Sequence, residues 1–185
     1  MNNRNSKLSR LILLAGLVLA ASVGESRVPS EYELKAAFLC KFGRYVEWPA
    51  SSFASADSPV VIGVMGRDPF GPFLDATVRL ARVRGRKVEL RRFKTASEAK
   101  LCHLLFISSS EERRLTAILE ALAGAAVLTV GESEWFARDG GMIRFDAFDE
   151  SVQLEINLLS AQRAGLNISS RLLKLARITS GEGPK

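Results

Sequence analysis

The sequence predicts an α/β fold: one three-layer-like domain whose mixed β-sheet is flanked by helices and followed by a C-terminal β-hairpin and helix. Three observations carry this. The runs 60–65, 103–107 and 126–130 are largely apolar, and the first is a β-branched run, the pattern of strands buried on both faces. Segments with helical spacing alternate with these runs. Near the C-terminus, 142–147 and 151–158 each alternate apolar and polar residues across a short connection, as the arms of a hairpin do.

Each element has a local reason. Ser30, followed three residues later by Glu33, makes a capping box that satisfies orphan N–H groups at a helix start. Leu34, Phe38, Phe42 and Tyr45 then recur at helical spacing, and Trp48-Pro49 disfavours continuation beyond about Val46. A polar stretch, 50–58, leads into the first buried strand. Residues 67–71 read as a turn, 73–80 as a helix and 87–93 as a strand. After the second buried run, Ser110 precedes a helical segment over 111–123, and the third run closes on Gly131. Ser133 is expected to cap a short helix, 134–138, that ends at Gly140-Gly141. In the hairpin, pairing Phe145 with Val152 sets Ile143 opposite Leu154 and makes one face apolar. The other face carries Arg144, Gln153, Glu155 and Asn157, with Arg144 diagonal to Glu155. Gly165 breaks the final helical region, whose apolar stripe is Leu172, Leu173 and Ala176.

The N-terminus bears on location. Arg4, Lys7 and Arg10 precede the apolar run 11–21, and small residues follow it, with cleavage expected after Ser22 or Gly24. The run is shorter than the ~20 residues of a membrane-spanning helix, so 1–24 reads as a secretory signal, with an uncleaved anchor as the competing reading. Residues 25–178 then form one domain, and 179–185, with two Gly and a Pro, read as a disordered tail. Removing 1–24 takes three bases and no acids from the chain's 26 Lys and Arg and 20 Asp and Glu, so the net charge falls from +6 to +3. So mild a charge does not argue for nucleic acid.

Catalytic patterns are sparse. His103 is the one histidine and opens a buried run, where it reads as a satisfied core residue; Ser108-Ser109-Ser110 reads as a helix cap. No spaced His, Cys or carboxylate set suggests a metal, and no cofactor is expected. Gly63, Gly66 and Gly71 fit neither phosphate-binding spacing, with Pro69 and Pro72 removing needed N–H groups. In an oxidising compartment Cys40 and Cys102 could form one disulfide, but both sit in apolar runs that read as core. The basic residues Arg79, Arg82, Arg84, Arg86, Lys87, Arg91, Arg92 and Lys94 read as a solvated edge. Their functional alternative is contact with anionic head groups or an acidic partner. The candidate partner- or ligand-binding residues are Arg144, Glu155 and Asn157 on the hairpin, with Ser169, Ser170 and Arg171 where the last helix begins.

An ordered set of blocks resembles the YfiR-like family of periplasmic repressors of membrane diguanylate cyclases. They are Lys35-Ala36-Ala37-Phe38, Val46-Glu47-Trp48-Pro49, Gly63-Val64-Met65-Gly66-Arg67-Asp68-Pro69-Phe70-Gly71, Cys102-His103-Leu104-Leu105-Phe106-Ile107 and Leu128-Thr129-Val130-Gly131. Gly140-Gly141-Met142-Ile143, Leu154-Glu155-Ile156-Asn157, Ala164-Gly165-Leu166 and Ile168-Ser169-Ser170-Arg171-Leu172-Leu173 follow in order. The resemblance implies a non-catalytic, dimeric periplasmic protein. It would hold the periplasmic sensor region of an inner-membrane cyclase inactive, lowering cyclic di-GMP and biofilm formation. Membrane contact would come only through that partner. It also implies redox control through disulfides, although two cysteines exclude a two-disulfide switch. The alternatives are a periplasmic small-molecule sensor for another receptor, favoured by any pocket uniting Trp48, Trp135 and Glu155, and, most weakly, an enzyme.

Overall fold

The computed structural model describes residues 29–148 and 151–179; the segment read as a secretory signal lies outside them. Helix α1 (Glu31–Tyr45) starts at the expected capping box, with Glu33 N–H donating to Ser30 Oγ and Ser30 N–H to Glu33 Oε2. Its buried stripe is Lys35, Ala36, Leu39, Cys40, Phe42 and Gly43, leaving Leu34, Phe38 and Tyr45 half-buried. Next come β1 (Val46–Glu47), a 3-10 turn (Ala50–Ser52), β2 (Val60–Met65), α2 (Pro72–Leu80), β3 (Arg82–Val83), β4 (Arg86–Phe93) and α3 (Ala96–Ala99). Then come β5 (Leu104–Ile107), α4 (Leu115–Ala121), β6 (Leu128–Gly131), β7 (Ile143–Phe148) and β8 (Ser151–Asn157). The chain closes with α5 (Leu158–Arg163), β9 (Asn167–Ile168), α6 (Ser170–Leu173) and β10 (Ala176–Thr179).

Eight strands form one mixed sheet in the order β10-β8-β7-β6-β5-β2-β4-β3. The central run from β4 to β7 is parallel, because crossovers, helix-bearing as far as β6 and a series of turns from β6 to β7, return the chain to the same end each time. β8 runs antiparallel to β7, and β10 parallel to β8. β1 and β9 form a separate antiparallel pair.

The sheet divides the core. Ile62, Val64, Leu104, Phe106, Leu128 and Val130 point to the α1 and α2 side, where they pack with Phe42, Phe70 and Phe145. Val61, Met65, Leu105 and Ile107 point to the α3 and α4 side, where they meet Leu115, Ile118 and Phe136. Each of these large side chains contributes about 1.5–3 kcal/mol by leaving water. Cys40 belongs to the first cluster and Cys102 to the second, so the sheet separates them and both are free thiols. Burial pushes the Cys40 thiol up to about 11 and the Cys102 thiol up to about 12, leaving both protonated.

Four details differ from expectation. The hairpin register is shifted by two residues: Phe145 faces Leu154, and Arg144 lies directly opposite Glu155 rather than diagonal to it. A two-residue shift keeps every side chain on its face, so face polarity alone does not choose between the registers. Residues 134–138 form successive turns rather than a helix. There the ring of Phe136 covers Gly131 and Gly141, and a Cβ at either glycine would overlap it. The segment over 111–123 opens as a 3-10 turn (Ser109–Arg114) capped by Ser108, while Ser110 Oγ accepts from Arg67 N–H. Finally, α6 lasts four residues, and Ala176 to Thr179 form an edge strand because β8 supplies backbone partners. Thr179 is therefore strand, and the rest of the expected tail lies outside the described residues.

Candidate functional site

β7 begins where β6 ends, with Arg144 level with Gly131, so the β7–β8 hairpin overhangs the carboxyl ends of β5 and β6. Ligand crevices of open α/β sheets lie at such ends. Here the first turns of α1 complete a crevice of about 370 Å³, lined by Glu31, Tyr32, Lys35, Ser109, Glu132, Arg144, Phe145 and Asp146.

Its floor is a buried ammonium. Lys35 is only 3% exposed, and its Nζ lies 2.7 Å from Glu132 Oε2 and 2.5 Å from Glu31 Oε1. It also stands 4.9 Å from the centroid of the Tyr32 ring. Burial alone would pull the Lys35 pKa down, but the hydrogen bonds to Glu132 and Glu31 outweigh it and hold the group above the ordinary lysine value. Lys35 is therefore a charged bolt between α1 and the loop after β6. Sequence reading placed Lys35 in a block without a role. The available signal was a base at a position of the helix stripe that faces the core.

The outer wall is a second network. Glu155, 5% exposed, accepts from Arg144 Nη1 at 3.1 Å and lies 3.2 Å from Arg177 Nη2, so one carboxylate is held from both neighbouring strands. Arg144 Nη2 donates to Asp146 at 3.1 Å. The Nε of Arg144 is buried without a hydrogen-bond partner among the described residues.

The other candidates lie elsewhere. Asn157 is fully buried; its Oδ1 accepts from Ser160 N–H at the start of α5 and its Nδ2 donates to Ala137 O at 2.7 Å. Ser169 caps α6 by accepting from Arg171 N–H, and its own N–H donates to Tyr45 O, at the far end of α1 from the crevice. Ser170 and Arg171 are exposed there. Arg144 and Glu155 are thus brought together, and Ser169, Ser170 and Arg171 form a separate group.

His103 is a satisfied core residue. Val61 N–H donates to its Nδ1 at 3.0 Å, which puts the proton on Nε2, 3.1 Å from Ser52 O. Its ring stacks on Phe53 with centroids 4.5 Å apart, and burial holds its pKa below the usual histidine range. Trp48 donates to His103 O, Trp135 lies half-exposed under Arg138, and no described cavity unites them with Glu155. Among the described residues no cluster of three or more His, Cys, Asp or Glu stands ready for a metal, and no helix is long and apolar enough to cross a membrane.

The fold is similar to that of an ABC domain from Streptococcus pneumonia solved in complex with L-Trp, with a TM-score of 0.52 and 10% identity. That match covers 78% of this chain and spans about 60% of the other, and at this identity it concerns the fold alone. A family model described as YfiR/HmsC-like matches residues 32–177, from the first turn of α1 into β10, and the chain belongs to the YfiR/HmsC-like family.

Proposed function

We propose that this protein is exported to the periplasm, where it binds the periplasmic sensor region of an inner-membrane diguanylate cyclase and holds it inactive. Cyclic di-GMP and biofilm formation fall as a result. The observation that carries this reading is the family match over residues 32–177. The crevice supports a binding role over a catalytic one. Its charged groups are already paired with one another, and the sole histidine is engaged in the core. The overhanging hairpin, with Arg144, Asp146 and Glu155, is the surface we assign to partner contact. A homodimer is the assembly that accompanies this reading, and sedimentation of the chain from Glu25 tests it.

The decisive experiment is intracellular cyclic di-GMP after gene deletion, with complementation by the full chain and by a chain lacking residues 1–24. Elevated cyclic di-GMP restored only by the full chain supports the reading. Unchanged levels on deletion end it.

A cavity of about 200 Å³ favours a second, compatible reading as a small-molecule sensor. Leu119, Leu122 and Met142 line it, with Asp139 and Arg163 also in its wall. A ligand would relieve repression only by binding the free protein better than the complex. A thermal-shift screen tests this, because a specific ligand raises the melting temperature by mass action.

A further inference from the structure

Eight of the 23 Lys and Arg that follow Gly24, and only one of the 20 Asp and Glu, lie between Arg79 and Lys94. The segment therefore carries +7, and the other residues beyond Gly24 together carry −4. In the fold it is the end of α2, the β3–β4 hairpin and the edge of the sheet.

Two of the eight are structural. Arg86 donates to Ser55 O and Ser58 O and lies over the Phe53 ring; Arg92 pairs with Asp68 and Asp75. Arg84 and Arg91 hold one exposed carboxylate each, Glu47 and Glu89. Among the described residues Arg79, Arg82, Lys87 and Lys94 form no ion pair, and all four side chains are exposed. Arg82 and Lys87 are register partners and so point to the same side of the hairpin.

We propose that this edge docks directly on an anionic phospholipid surface, rather than reaching the membrane only through a protein partner. The bases spread along an eight-residue strand, about 26 Å of contour, and only Arg84 and Arg86 line the cavity beside it. A long, diffuse field matches a surface of many similar anions better than one acidic side chain. Leu80, 84% exposed between Arg79 and Arg82, adds an apolar side chain at the level where head groups meet acyl chains. The inference rests on the export reading only for bringing a membrane within reach.

The test is cosedimentation with vesicles of phosphatidylcholine, alone or mixed with phosphatidylglycerol. It uses the chain from Glu25, which keeps every described element and omits the apolar segment that would itself enter lipid. Binding to the mixed vesicles only is expected, weakening as salt rises. R82E/K87E should lower the affinity at least about tenfold. R113E/K174E, an equal change in net charge at exposed residues off this edge, should leave it within about twofold. Three results would overturn the proposal: no binding to anionic vesicles, equal binding to neutral ones, or an equal loss in R113E/K174E. Failed vesicle binding alongside cyclase-region binding that requires Arg82 and Lys87 would assign the edge to a protein partner. Because the assay contains no cyclase, its outcome is independent of the cyclic di-GMP experiment.

Discussion

The two edges of the sheet are braced by opposite means. At the β3–β4 edge the charges face solvent, and the support beneath is a column of rings: Arg86 over Phe53, Phe53 on His103, and Trp48 against the His103 ring edge. At the β10 edge the charges turn inward. Arg177 reaches across to Glu155, which Arg144 holds from the other side, while Ile178 and Leu175 are left exposed. A basic edge repels other strands, and its support is mostly this ring column, with Arg92 also paired to Asp68 and Asp75. A short apolar edge strand needs to be tied down, and here the tie is ionic. The two braces should therefore respond differently to mutation and to pH.

The largest effect is expected from breaking the ionic tie at its centre. Glu155→Lys places a third cation between Arg144 and Arg177, at a position that is itself almost out of solvent. Uncompensated charge at such a site costs about 3–5 kcal/mol. Denaturant titration should show that loss, together with weakened repression of the cyclase. Wild-type stability and repression in this variant would mean that the network neither anchors β10 nor contributes to the partner surface.

His103 provides the contrast. His103→Phe keeps a ring against Phe53 but orphans Val61 N–H and Ser52 O, a loss of about 2–3 kcal/mol at neutral pH. The sign of the pH effect follows from the depressed pKa. The unfolded chain takes up the proton first, near pH 6.5, so the neutral imidazole stabilises the fold above that value. Its contribution is lost as pH falls through the lower folded value. The gap in stability between wild type and His103→Phe should therefore narrow as pH falls below about 6.5. A gap independent of pH would mean that His103 titrates alike in both states.

Much of this was legible from sequence, for reasons that also explain what was not. The buried parallel strands announce themselves as apolar runs, and Ser30 with Glu33 fixes the start of α1 locally. His103 could be read as core because its neighbours are apolar. The hairpin face was readable from alternation, yet its register was not, since a shift of two residues preserves that alternation. Phe136 gave no warning that it would close over two glycines, and β10 is too short for its spacing to exclude a helix. The crevice was least legible. Lys35 and Glu132 stand 97 residues apart, and only the packing of α1 against the end of β6 brings them together.

The smallest prediction separates a tie from a bulk contribution to stability. Arg177 is 64% exposed, so its pair with Glu155 is screened and its loss in Arg177→Ala should lower global stability by less than about 1 kcal/mol. Its consequence should be local instead. Among the described residues the backbone of strand β10 pairs with β8 alone and holds four residues, so its amides belong to the part of the sheet that opens at low cost. Hydrogen exchange should accelerate in residues 176–179 and stay unchanged in 88–93, where β4 pairs along its length with β2. Equal acceleration at both edges would mean that the sheet opens as one unit, and that the ionic tie has no special claim on β10.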